Sequence, residues 1–115
     1  MHNDFILLGS DSDPAGVKKA TSLATALALI KKNQSTFISR GDNSGTHKKE
    51  QELWDAAGVK PGGRWYLSIG QGMGSALNMA DEKQAYILSD RSTYLSYLTK
   101  LNLNIVLEGD EILMN

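Results

Sequence analysis

Five short apolar runs, separated by segments of helical character, constrain this chain more than any other feature. The runs are Phe5–Gly9, Ser35–Ser39, Trp65–Ile69, Ala85–Ser89 and Asn104–Glu108. Four helices are expected between them. The first spans roughly 15–32, with Asp13 as N-cap, Pro14 as first helical residue, and Val17, Ala20, Ala24, Leu27 and Ala28 as its apolar stripe. The second starts at Ser44 or Thr46 and runs to about Ala57, with a polar, exposed first half, an anchoring face of Leu53, Trp54 and Ala57, and Gly58 as C′ residue. The third follows Gly70–Ser75 and carries Ala76, Leu77, Met79 and Ala80 to about Lys83. A short fourth is capped by Asp90 and covers Ser92–Leu98. Alternating strands and helices cannot bury their apolar faces except against one another. The expected fold is therefore α/β: an about five-stranded, mostly parallel sheet with helices on both faces.

Length and charge narrow the function. The 115 residues suffice for one domain with its own core, and no internal repeat or linker divides them. A net charge of −1 leaves no broad basic field for nucleic acid or anionic lipid, so any anion site must be local. There is no cysteine, hence no disulfide framework and no thiolate metal site. Residues 1–5 have neither the basic region nor the apolar core of a signal peptide.

Chemistry concentrates in Ser39-Arg40-Gly41-Asp42-Asn43-Ser44-Gly45-Thr46-His47. A strand ends, an arginine follows, a tight polar turn closes and a helix begins. The unpaired N–H groups of a first helical turn point outward at the positive end of the helix dipole, which suits an oxyanion. Helices usually place an acid in that turn. Here it holds Thr46, His47, Lys48 and Lys49, and Glu50 is the first acid, so an outside anion could supply the missing compensation. Arg40 adds a charge and a planar fork of donors. Asp42 can either orient Arg40 or accept a proton from a protonated ligand such as phosphate, and orientation is the expected role. The candidate contacts are Ser39, Arg40, Ser44, Gly45 and Thr46. In a parallel sheet, ligands gather beyond the carboxyl ends of the strands. Gly70-Gln71-Gly72-Met73-Gly74 should open beside the first loop at that edge, and Gly72 would join the site as part of a second backbone wall.

Other readings of the same residues are weaker. The Gly70–Gly74 spacing does not match a dinucleotide fingerprint. Ser44 does not sit in a Gly-x-Ser-x-Gly elbow, so a hydrolase with His47 as base is remote. His47 and Glu50 alone are too few for a metal. Trp54, Trp65 and Tyr66 read as core.

The Ser39–His47 loop resembles the oxyanion loop of the periplasmic binding proteins of ABC transporters, in the tungstate-binding branch. The likeness extends to His2-Asn3-Asp4-Phe5 with Asp13–Gly16, Trp65-Tyr66-Leu67 with Gly70–Gly74, Leu77–Ala80, Leu88–Arg91 and Leu107–Asp110. That family traps its ligand between two α/β lobes joined by a hinge. The resemblance implies that residues 1–115 are the second lobe only, with the first lobe, signal sequence and hinge return missing. It implies that Arg40 and the Ser44–Thr46 turn contact tungstate or molybdate, with no cofactor and no enzymatic activity. It implies ABC permease subunits as partners of the complete protein, and a periplasmic or membrane-anchored extracellular location. The face that would meet the other lobe could support self-association. A phosphate-binding lobe and the sensing domain of a regulator are the alternatives on the same fold.

Overall fold

In the computed structural model, which describes residues 4–114, every apolar run contributes a strand. These are β1 (Phe5–Gly9), β2 (Phe37–Ser39), β3 (Tyr66–Ser68), β4 (Tyr86–Asp90) and β5 (Asn104–Leu107). They form one sheet in the order β3-β2-β4-β1-β5. β2 runs parallel to β3 and β4, whereas β1 is antiparallel to β4 and β5. The sheet is thus mixed: β2, β3, β4 and β5 share one direction and β1 opposes them. His2 and Asn3, quoted for the family likeness, lie outside the described residues.

Side chains alternate across the strands with period two, and both faces are apolar. Phe5, Leu7, Phe37, Tyr86 and Leu88 face one side and pack under α1 (Leu23–Asn33) and α2 (Gly45–Ala57). Ile6, Leu8, Ile38 and Ile87 face the other and pack under α3 (Met73–Lys83) and α4 (Arg91–Tyr97). Trp54 and Trp65 are core residues, as expected. With Phe37 and Tyr66 they build an aromatic cluster whose ring centroids are 5.3–6.0 Å apart.

The first connection departs from its expectation. Asp13 does not cap a long helix. It adopts φ 43° and accepts hydrogen bonds from the Val17 and Lys18 N–H groups, fixing a 3₁₀ turn at Val17–Lys19. The α-helix begins later, with Ser22 as N-cap accepting from the Thr25 N–H and Asp110 accepting from the Leu23 N–H. The interruption shifts the helical phase. Ala24 and Ala28 are exposed, and the buried stripe is Leu23, Ala26, Leu27 and Ile30.

α2 begins and ends where the sequence placed it. Ser44 is the N-cap and Gly58, at φ 68°, terminates the helix through Gly58 N–H to Asp55 O and Val59 N–H to Trp54 O. Its first half is not simply exposed, however. Thr46 and Glu50 are buried, because that side of the helix packs against β4.

Candidate oxyanion site

Three parallel strands, β3, β2 and β4, lead directly into helices, so α3, α2 and α4 all start at one sheet edge. β1 runs the other way and begins there, with Phe5 opposite Asp90. The two glycine-rich loops do lie side by side. The Gln71 N–H donates to Arg40 O at 3.0 Å, and the Ile69 N–H to Ser39 O at 3.0 Å. Gly41, at φ 60°, is pressed so close to Ser68 that an added Cβ would stand 2.0 Å from the Ser68 Oγ.

Arg40 and Asp42 form an ion pair, with Nη2–Oδ2 at 2.8 Å and Nε–Oδ2 at 3.2 Å. The other Asp42 oxygen accepts from the Ser44 N–H at 3.2 Å. The Ser44 hydroxyl and then the Arg40 guanidinium hold the Asp42 carboxyl at about 2, below the usual carboxylate range. Asp42 therefore stays ionised and occupied, anchoring Arg40 from behind, while the remaining guanidinium N–H groups stay available to a ligand.

Helix α2 opens against this pair with no acid in its first turn. The Ser44 Oγ caps the His47 N–H at 3.2 Å. The Gly45 and Thr46 N–H groups have no acceptor among the described residues. Arg40, Gly45 and Thr46 line an open cleft of about 490 Å³ together with Phe5, Lys48, Lys49, Glu52 and Asp90. Lys49 lies over the Phe5 ring at 5.9 Å and 3.9 Å from a Glu52 oxygen.

The other candidates sit differently. Gly72 is the N-cap of α3 and belongs to the neighbouring loop, outside the residues that line this cleft. Ser39 is fully buried, and its Oγ has no hydrogen-bond partner. It lies on the face of β2 that turns toward Glu50 and Tyr66, so only its main chain belongs to the loop edge. His47 does not address Ser44 as a base: its Nδ1 accepts from the Asn43 N–H at 3.0 Å. No cluster of three or more potential metal ligands occurs among the described residues. Phe5, Lys49 and Asp90 were not singled out from sequence as site residues. Lys49 comes with α2 itself, the parallel pairing of β2 with β4 brings the Asp90 end of β4 alongside, and the antiparallel register of β1, which has no local signal, sets Phe5 opposite Asp90.

An α/β lobe with a donor-rich edge is the architecture of a ligand-binding protein, and the chain belongs to the periplasmic-binding-protein superfamily: the model described as PBP superfamily domain matches residues 1–115. The tungstate-binding protein TupA of Peptoclostridium acidaminophilum is 50% identical over 117 residues, covering 100% of this chain and 41% of that protein. A crystal structure of the tungstate ABC transporter from Geobacter sulfurreducens superposes with a TM-score of 0.93 at 50% identity, over 100% of this chain and 49% of that one. A conserved protein of unknown function from Vibrio parahaemolyticus superposes with a TM-score of 0.96 at 49% identity, again over 49% of its length. The chain thus spans about half the length of the solved proteins it matches, and less of the curated one.

Proposed function

We propose that this chain is the oxyanion-contacting lobe of a two-lobed solute-binding protein that carries tungstate, or the closely similar molybdate, to an ABC permease outside the cytoplasm. The observation that carries this reading is the uncompensated start of α2 beside an anchored arginine. Two free N–H groups, the helix dipole and the Arg40 fork converge on one cleft. The arrangement is one of hydrogen-bond donors and positive charge, which suits binding an anion. Arg40, Ser44, Gly45 and Thr46 are the proposed contacts, with Asp42 holding Arg40.

Asp42 also bears on which oxyanion is favoured. Both of its oxygens are already engaged, one by Arg40 and one by Ser44. Those bonds fix its oxygens on Arg40 and Ser44 rather than on the proton of hydrogen phosphate, and an ionised carboxylate without such a proton to accept repels the ligand. A fully deprotonated dianion suits donors alone. Calorimetric titration of the complete two-lobed protein with tungstate, molybdate, sulfate and phosphate tests this. Tungstate or molybdate should bind at least a hundredfold more tightly than phosphate. Preference for phosphate would overturn the assignment.

A further inference from the structure

Beneath the loop lies a buried carboxyl that the proposed contacts do not use. Glu50 sits in the second turn of α2 and is 3% exposed. Its Oε2 accepts from the Trp54 Nε1–H at 3.0 Å and from the Tyr66 hydroxyl of β3. The unpartnered Ser39 Oγ, at the end of β2, faces the same pair. One carboxyl thus ties α2, whose first turn supplies the N–H groups, to β3, the strand whose Ser68 supports Gly41, and faces the end of β2 just before Arg40.

We propose that Glu50 is a positioning residue for the oxyanion site, holding the start of α2 against β3 beside the end of β2 while never touching the ligand, and that anion binding favours its protonated form. This rests on the functional reading above. The geometry supplies two reasons. The Glu50 backbone lies roughly 6–8 Å along the helix axis from the free N–H groups of the first turn, and a helical side chain leans back toward them. An ionised Glu50 would place a further negative charge beneath a bound dianion, with no salt-bridge partner among the described residues. A protonated Glu50 removes that charge and offers a donor to the Ser39 Oγ. Burial already pushes this carboxyl upward, against the Tyr66, Ser39 and Trp54 side chains, whose donors favour the ionised form. The other groups that face it are His47 one turn earlier on α2 and Tyr66 on β3. Asp55 and Lys60 line the open cleft outside Tyr66.

The test uses the complete two-lobed protein and tungstate titrations from pH 5 to 8, with molybdate repeated at the acid end. The unsubstituted protein should bind at least threefold more weakly at the alkaline end, the lower bound being a dianion facing one charge at this separation in a fully aqueous environment. Calorimetry in two buffers of different ionisation enthalpy should show proton uptake on binding. Glu50→Gln keeps an acceptor for Trp54 and Tyr66 and gives Ser39 a donor. It should bind tungstate across the range as the unsubstituted protein does near pH 5. Glu50→Leu should bind at least tenfold more weakly than Glu50→Gln. An E50Q profile identical to that of the unsubstituted protein overturns the proposal, even if E50L fails to fold, and so does a folded E50L that binds as well as E50Q. Absence of tungstate binding by the unsubstituted protein overturns the functional reading and this inference with it.

Discussion

At the residue scale, the site depends on how one carboxylate is used. Arg40 alone on a loop would sample many rotamers, and the two bonds to Asp42 remove that freedom before a ligand arrives. Replacing Arg40 by Ala in the two-lobed protein should weaken tungstate at least tenfold, since a charge-assisted hydrogen bond contributes about 1.5–3 kcal/mol. An unchanged titration would remove Arg40 from the site. Asp42→Asn should weaken binding less, because the guanidinium survives but loses its anchor. The carboxyl titration of Asp42 itself is a separate check. Its folded value is depressed to about 2, so the ion pair is intact above the ordinary carboxylate value and is lost only as pH falls through about 2. An NMR midpoint at the ordinary value would mean that the pair does not persist in solution. Glu50 has the opposite sign. Its folded value is raised, so the folded chain binds the extra proton and stability falls as pH rises from the ordinary value through the raised one. Denaturant unfolding of Glu50→Gln should lose that slope.

At the scale of the element, α2 is where local signals and tertiary demands agree. Its cap, its basic first turn and its glycine stop were all legible, because each acts within four residues of the helix end. Ser44→Ala should cost about 1 kcal/mol of stability, read from a urea midpoint. The preceding turn is set by a long-range contact. Gly41 needs its positive φ and its missing side chain together, since Ser68 fills the space. Gly41→Ala should destabilise by about 1–3 kcal/mol. Adding Ser68→Gly should recover part of the loss, namely the part due to overlap. Full recovery would mean that the backbone conformation carries no strain. The first helix was less legible. An aspartate before a proline is a good helix start locally, but here the Asp13 side chain is recruited by the Tyr86 hydroxyl, 73 residues away. That contact and the extended backbone at Ala20 and Ser22 stop the first turn and restart the helix at Leu23.

At the scale of the whole molecule, the anion edge is an open surface. The cleft beside Arg40 has donors on one side only, and nothing in the described residues closes over it. A second lobe would add further donors and exclude water, strengthening each existing bond. We therefore expect this chain alone to fold but to bind tungstate at least a hundredfold more weakly than the two-lobed protein. Sub-micromolar affinity of the isolated chain, measured by calorimetry, would contradict that. Both ends of the lobe are tied to one arginine: Arg91 Nε bonds Asp4 at 2.7 Å and its Nη2 bonds Glu108 at 2.8 Å. Asp4 and Glu108 lie at the start of β1 and just beyond β5, so the clasp closes on residues 87 and 17 positions from Arg91.

The sequence by itself determined the α/β alternation, the helices on both faces, the boundaries of α2 and the basic, acid-free character of its first turn. Those properties arise from side-chain periodicity and from groups within one turn of each other, so the local chain carries them. Tertiary structure decided the reversed direction of β1, the placing of Phe5 and Asp90 beside Arg40, the burial of Glu50 and the inward turn of Ser39. Each of these depends on which strand pairs with which. Pairing is chosen by the combined burial of both sheet faces and has no signature at any single position.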